Sequence, residues 1–204
     1  MNFNATLQKL GIEQAVNYLY RDPEKNLRVL MDWADKFAGD EFPSQREIIR
    51  QAVENEDHPY HAYIRHMIRD IDPKVMKTLV TNFFINSALV GWPKQEKLRA
   101  ELDCNIPWAI LMDPTSACNL HCTGCWAAEY GNKLNLTFDE MDSIISQGKE
   151  LGIYMYIYTG GEPLVRKADL IRICEKHDDC VFLCFTNATL IDKAFADEML
   201  RVGN

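Results

Sequence analysis

The sequence has no excess of basic residues. Its 204 residues include 22 Lys and Arg against 30 Asp and Glu, which gives a formal net charge of -8. This acidic balance excludes a general nucleic-acid-binding surface, because such a surface needs a basic patch or stripe. The hydrophobic content of 47% is ordinary for a globular protein, so one or two domains with a buried core are expected.

The sequence also lacks a recognisable export signal and a membrane-spanning run. Its first residues contain no charged stretch followed by an apolar one. The longest largely apolar run, residues 79–92, is too short and too polar to cross a bilayer. We expect a cytoplasmic protein in which this run forms a buried helix. Because Lys94 and Lys97 follow the run, contact with a membrane surface is the less favoured alternative.

A disulfide framework is not expected from the cysteine content. Seven cysteines is an odd number, and a chain without an export signal favours metal or redox chemistry instead. Three of them, Cys118, Cys122 and Cys125, follow the pattern C-x-x-x-C-x-x-C. Three thiolates at this spacing can hold three irons of a [4Fe-4S] cluster. No fourth cysteine completes the motif, so one iron would stay open to another molecule. The remaining cysteines could suggest a second cluster, but their irregular spacing favours core packing, with Cys104, just before the first strand, left open: Cys104, Cys174, Cys180 and Cys184.

The second half of the chain alternates between strand and helix patterns. Strands are predicted at residues 108–112, 154–158 and 181–185. Each is followed by a helix, of which two are capped, by Thr137 and Asp192. This order predicts a parallel α/β sheet with right-handed crossovers, and the apolar first strand should be covered on both faces. The cysteine loop follows the first strand, and the turn 159–163 ends the second, at the edge of the sheet where such folds bind ligands.

The first hundred residues have a different pattern, with apolar residues at helical periodicity. Apolar residues recur at helical spacing in residues 24–37, for example, after a start signal at Asp22-Pro23. We therefore divide the chain into a helical N-terminal region, residues 1–100, and an α/β region, residues 101–204.

Two motifs in the α/β region resemble those of one enzyme family. The cysteine spacing resembles the signature of the radical S-adenosylmethionine (radical SAM) enzymes, and Gly160-Gly161-Glu162-Pro163 resembles their GGEP motif. The resemblance covers about residues 104–204. It implies the first half of a partial (β/α)6 barrel, with three βα units present. We therefore expect the chain to be part of a longer enzyme.

The resemblance also implies a cofactor site. The three cysteines of the motif would hold the [4Fe-4S] cluster. The GGEP turn would bind the amino group of S-adenosylmethionine (SAM), and polar side chains after the third strand would contact the same molecule. An aromatic residue often precedes the last cysteine in this family, but Gly124 occupies that position here and Trp126 could replace it. The SAM contacts implied are Gly160, Gly161, Glu162, Pro163, Thr186, Asn187 and Trp126.

The implied reaction is reductive cleavage of SAM to methionine and a 5'-deoxyadenosyl radical, which abstracts hydrogen from a substrate. No residue is assigned an acid or base role. An electron donor such as a flavodoxin or ferredoxin is implied, and the substrate could be a small molecule, a peptide or a lipid. Two alternatives stay open. One is a non-catalytic iron-sulfur electron carrier or redox sensor, and the other is a zinc module in which His121 supplies a fourth ligand.

Overall fold

The computed structural model describes residues 11, 14–37, 43–131 and 133–204. The chain forms two compact units, Met1–Lys77 and Thr78–Asn204. In the part of the chain that is described, no helix has both the length and the apolar character needed to cross a membrane.

The first unit is helical. Residues 14–21 are helical, and helices α1 to α4 follow, each with a proline in its first turn, where the missing N–H costs no hydrogen bond. The prediction of a helix at residues 24–37 is confirmed. A small core holds the unit together, formed by Val16, Leu19, Ala52, Val53, Ile68 and Met76. The helices are α1 (Pro23–Phe37), α2 (Pro43–Glu54), α3 (Pro59–Asp70) and α4 (Pro73–Val80), the last of which continues into the second unit.

The second unit contains a π-helix, Thr81–Gly91, followed by α5, Trp92–Leu102. The Asn82 side-chain amide donates to the carbonyl oxygens of Asp178 and Cys180, both at 2.8 Å. Because the buried side of the π-helix makes these polar contacts, several of its apolar side chains lie on the exposed side. The prediction of a buried apolar helix at residues 79–92 is therefore wrong for these exposed residues: Phe83, Phe84, Leu89 and Val90.

Three parallel strands form the sheet, in the order β1-β2-β3. They are β1 (Ala109–Met112), β2 (Met155–Tyr158) and β3 (Val181–Cys184), and they are followed by α6 (Phe138–Glu150), α7 (Lys167–Lys176) and α8 (Lys193–Val202). The strands are paired in register, with Met112 beside Tyr158 and Tyr158 beside Cys184. The predicted α/β alternation and parallel sheet are confirmed.

The main core lies on one face of this sheet. Met112, Tyr156 and Tyr158 are buried against residues of α6 and α7, including Met141 and Ile173. On the opposite face Leu111 is 59% exposed and Leu183 is 42% exposed. The prediction that the first strand is covered on both faces is therefore wrong for the described residues, because α6 and α7 pack against the core face.

The predicted caps set the starts of two helices. The Thr137 hydroxyl accepts from the Glu140 backbone N–H at 3.2 Å, and the Thr137 N–H donates to the Glu140 carboxylate at 2.7 Å, so the capping box is formed. The Asp192 carboxylate accepts from the Phe195 N–H at 2.8 Å. Gly203, at a φ of 81°, ends α8 in the left-handed conformation.

Candidate active site

Two of the loops at the carboxyl ends of the strands are joined by backbone hydrogen bonds. The Gly161 N–H donates to the Thr115 carbonyl oxygen at 3.0 Å, and the Glu162 N–H donates to the Ala117 carbonyl oxygen at 2.8 Å. The start of the cysteine loop therefore lies directly against the GGEP turn, although some 45 residues separate these partners in the sequence.

The two glycines of this turn are required by the close approach of the loops. A β-carbon on Gly161 would collide with the carbonyl oxygens of Ser116 and Ala117. Gly160 has a φ of 104°, which disfavours any residue with a side chain. A β-carbon there would also lie 2.8 Å from the β-carbon of Asp113. The glycines thus have a structural role, whatever ligand they contact.

The Glu162 carboxylate is directed into the protein. Its side chain is 1% exposed. It accepts hydrogen bonds from the Leu164 N–H at 2.9 Å, the Thr186 hydroxyl at 2.7 Å and the Asn187 N–H at 2.8 Å. The carboxylate therefore ties the end of β2 to the end of β3. The SAM contacts predicted for Gly160 to Pro163 remain predictions.

Asn187 connects the end of β3 to the cysteine loop. Its side-chain amide donates to the Asn119 side-chain oxygen at 3.0 Å and lies 3.9 Å from the Cys118 sulfur. The Asn119 amide in turn donates to the Thr189 hydroxyl at 2.8 Å. Two predicted sets of site residues, the cysteines and the polar residues after β3, are thereby brought together.

The cysteine loop is open to solvent. Cys118 is half-buried, whereas Cys122 and Cys125 are exposed, and all three are free thiols. The Cys125 N–H donates to the Cys122 carbonyl oxygen at 3.2 Å, in a turn where Gly124 has a φ of 76°. Over the described ranges, no group of three His, Cys, Asp or Glu side chains lies close enough together to hold a metal ion. The three thiols nevertheless fit a [4Fe-4S] cluster in kind, since no disulfide or core contact occupies them.

The other cysteines differ from these in environment. Cys174 and Cys180 are buried, and Cys184 is half-buried. Burial raises the pKa of Cys174 to about 12 and that of Cys184 to about 11, so both remain protonated and unreactive at neutral pH. Their predicted core packing is confirmed. Cys104, the cysteine whose place is left open by the sequence, is exposed and lies outside the core.

Trp126 lies beside a cleft of about 460 Å³ next to the GGEP turn. It begins a short 3₁₀ helix, Trp126–Tyr130, and packs edge-to-face against Tyr130 with 5.7 Å between ring centroids. Gly160 and Gly161 line the same cleft, whereas Asn187 and the three cysteines are not among its lining residues. The predicted SAM contacts thus fall into two groups: Trp126, Gly160 and Gly161 line the cleft, whereas Asn187 lies beside Cys118.

Sequence reasoning missed two residues that hold the cysteine loop in place. Thr115 is fully buried, and its hydroxyl donates to the Asn135 side-chain oxygen at 2.6 Å. The Arg166 guanidinium donates to the carbonyl oxygens of Leu136 at 2.7 Å and Pro114 at 3.2 Å. Neither contact leaves a local signal in the sequence, because each partner is at least 20 residues away.

A third missed residue, Asp113, could have been found from its position. It follows β1 directly, at the edge of the sheet where ligands bind in parallel folds. Asp113 lines the same cleft as Trp126.

Comparison with known families agrees with this arrangement. The model of the Radical SAM superfamily matches residues 112–204, which begin at the last residue of β1 and include the cysteine loop, the GGEP turn, β2 and β3. This match relates residues 112–204, 93 of the 204 residues, to the radical SAM superfamily. Members of this superfamily use a [4Fe-4S] cluster and SAM.

Several curated proteins are similar to part of this chain. The PqqA peptide cyclase of Bradyrhizobium diazoefficiens is 32% identical over 114 residues, covering 53% of this chain and 30% of its own length. The GTP 3',8-cyclase of Alkaliphilus oremlandii is 32% identical over 95 residues, covering 44% and 30%. The Fe-coproporphyrin III synthase of Methanosarcina barkeri is 30% identical over 100 residues, covering 46% and 24%.

The matched segments span less than a third of the length of these relatives. No solved structure matches the chain.

Proposed function

We propose that this chain carries the cluster- and SAM-binding part of an enzyme that cleaves SAM reductively. One observation carries the proposal: the cysteine loop and the GGEP turn are hydrogen-bonded to each other at the carboxyl edge of the sheet, through Thr115 with Gly161 and Ala117 with Glu162. The match of residues 112–204 to the Radical SAM family model supports the same function.

The proposed ligands of the cluster are Cys118, Cys122 and Cys125. When bound, the cluster supplies the electron that cleaves SAM to methionine and the 5'-deoxyadenosyl radical, which takes a hydrogen atom from the substrate. The protein's own groups hold the reactants in place. Asn187 lies against Cys118, and Glu162 fixes the backbone of Asn187. The carbonyl groups of Gly160 and Gly161 are proposed to accept from the SAM amino group.

The sheet is proposed to belong to a partial (β/α)6 barrel. Leu111, Ile157 and Leu183 occupy one register row across the three strands. Two of these side chains are exposed on the face opposite the core. An apolar row of this kind suits the interior of a barrel, where side chains from successive strands pack in layers. In this proposal residues 1–100 form a helical region before the barrel core.

The enzyme is proposed to take its electron from a small carrier such as a flavodoxin or ferredoxin. The three named relatives carry names that refer to a peptide, a nucleotide and a porphyrin, respectively. All three are organic molecules, and an organic substrate with an abstractable hydrogen atom is proposed for this chain.

Anaerobic reconstitution followed by product analysis tests the proposal. The protein should bind iron and sulfide and, with dithionite and SAM, form methionine and 5'-deoxyadenosine. Replacing any one of the three cysteines of the motif by serine should abolish both products. Cys104→Ser is the matched control, because Cys104 is an exposed thiol outside the loop. Products formed equally by the loop variants and the control would contradict the proposal.

A further inference from the structure

The hydrogen-bonding groups of the Asn187 side chain are all engaged within the protein. An amide side chain has two N–H donors and an oxygen that accepts two hydrogen bonds. The Asn187 oxygen accepts from the Thr189 backbone N–H at 3.0 Å and from the Thr189 hydroxyl at 2.7 Å. Its NH₂ group donates to the Asn119 side-chain oxygen at 3.0 Å and lies 3.9 Å from the Cys118 sulfur. The SAM contact implied for Asn187 by the family resemblance would therefore require one of these contacts to break.

The side chains of Asn119, Asn187 and Thr189 form a closed ring of hydrogen bonds. Asn187 donates to Asn119, the Asn119 amide donates to the Thr189 hydroxyl at 2.8 Å, and this hydroxyl donates back to Asn187. Because the Thr189 backbone N–H can only donate, the Asn187 atom that faces it must be the oxygen. The ring therefore directs the NH₂ group of Asn187, and not its oxygen, toward Cys118.

The turn that carries this ring is attached to the buried end of β2. The Asn187 backbone N–H donates to the Glu162 carboxylate at 2.8 Å, and Glu162 is 1% exposed. Ala188 follows with a φ of 63°, in the left-handed region that a residue with a β-carbon rarely adopts. Such a conformation persists where surrounding contacts hold it, as Glu162 and the ring do on either side of Ala188. The position of the Asn187 amide is thus fixed by both its backbone and its side chain.

Cys118 has two N–H groups beside its sulfur. The Leu120 backbone N–H donates to the Cys118 sulfur at 3.4 Å, and the Asn187 amide lies at 3.9 Å. Among the described residues, no N–H group donates to the sulfur of Cys122 or Cys125, and both of these cysteines are exposed. Hydrogen bonds to the sulfurs of an iron-sulfur cluster are one of the factors that set its reduction potential. A donor stabilises the reduced, more negative form, so it raises the potential.

We propose that Asn119 and Thr189 are positioning residues, which hold the Asn187 amide against Cys118 and thereby raise the reduction potential of the cluster. The inference rests on the proposed function, because it concerns the cluster that Cys118 is proposed to bind. It assigns the Asn187 side chain to this cluster and not to SAM.

Redox titration of the anaerobically reconstituted full chain, followed by electron paramagnetic resonance without SAM, tests the inference. Thr189→Val removes the hydroxyl and opens the ring with little change in size. We expect the equilibrium constant for one-electron reduction of the cluster to fall roughly three- to tenfold, and tenfold corresponds to a potential lower by about 59 mV. Asn119→Ala should have a similar effect. The double variant should show no more than either single change, because both open the same ring.

Three further variants separate this effect from general changes in the loop. Thr189→Ser keeps the hydroxyl and should restore the wild-type potential. Thr123→Val is the matched control, because Thr123 is an exposed threonine of the cysteine loop that lies outside the ring, and it should leave the potential unchanged. Asn187→Ala should lower the potential at least as far as Thr189→Val, while its affinity for SAM, measured by calorimetric titration, stays close to that of the wild type.

A wild-type potential in both Thr189→Val and Asn119→Ala would overturn the inference. Loss of SAM affinity in Asn187→Ala without a change in potential would overturn it as well, because Asn187 would then be a SAM contact. If one of the ring variants does not fold, the other decides by comparison with Thr123→Val. A wild-type chain that holds no [4Fe-4S] cluster is a separate result, and it contradicts the proposed function and, with it, this inference.

Discussion

At the scale of single residues, the buried Glu162 carboxylate holds two loop ends together. Its three donors come from its own turn and from the loop after β3. In the sequence, Glu162 is a candidate to bind the amino group of SAM. In the structure, both of its carboxylate oxygens already accept hydrogen bonds from the protein. This result depends on how close β2 and β3 lie, and no local pattern around residue 162 could have indicated it.

Glu162→Gln should destabilise the protein by about 1–3 kcal/mol, because an NH₂ group would replace an oxygen that accepts a hydrogen bond inside the protein. Urea unfolding measures the change. Glu198→Gln is the control, since Glu198 forms an exposed ion pair with Arg201 and its loss should cost less than about 1 kcal/mol. Equal losses in the two variants would show that Glu162 does not hold the loops together.

At the scale of elements, the loop that carries the cysteines is held at both of its ends by Arg166. The guanidinium reaches Pro114 before the cysteines and Leu136 after them. It also pairs with Asp169 at 2.7 Å, which fixes its orientation. The cysteine loop is therefore anchored to the short 3₁₀ helix, Pro163–Arg166, that follows the GGEP turn.

Arg166→Lys should loosen this loop. A lysine keeps the charge beside Asp169 but cannot reach both carbonyl oxygens, because it lacks the planar fork of donors. We expect a loss of about 1–3 kcal/mol and faster tryptic cleavage after Lys133. Arg172→Lys is a matched control, because Arg172 also pairs with Asp169 but is exposed. A cleavage rate equal to that of Arg172→Lys would contradict the anchoring role.

The elements themselves were largely predictable from the sequence. A helix follows each strand as predicted, and the caps at Thr137 and Asp192 form as expected, because capping depends on residues only a few positions apart. The π-helix was not predictable in this way. The side of the π-helix that is buried is the one on which Asn82 donates to the Cys180 carbonyl oxygen, almost a hundred residues later in the chain.

At the scale of the whole molecule, the second unit contains a buried histidine that links stability to pH. His177 is 2% exposed, and its Nε2 lies 2.9 Å from the Asp142 carboxylate, while Nδ1 is buried without a partner. Burial lowers the pKa of His177, although Asp142 opposes this shift. Protonation would place a second N–H at Nδ1, where the described residues offer no acceptor.

The sign of the effect follows from the lowered pKa. Above about pH 6.5 His177 is neutral in both the folded and the unfolded state, so its protonation does not reduce the free energy of unfolding. As the pH falls below that value, the unfolded chain binds the proton first, so stability declines by at most about 1.4 kcal/mol per pH unit. His177→Gln keeps an N–H donor for the Asp142 carboxylate but removes the group that titrates. The decline in stability between pH 6.5 and 5 should therefore be smaller in this variant.

Urea unfolding at several pH values measures this decline. His66→Gln serves as the control, because His66 is exposed and should leave the pH dependence as in wild type. A decline of the same slope in His177→Gln would assign the pH dependence to other groups.

The open cysteine loop is proposed to bind a cluster with one iron available to SAM. Electron paramagnetic resonance of the reconstituted, dithionite-reduced full chain, recorded before and after addition of SAM, tests whether SAM binds this iron. We expect a [4Fe-4S] signal whose g values change when SAM is added. A [4Fe-4S] signal that saturating SAM leaves unchanged would contradict the proposal and would favour an electron carrier.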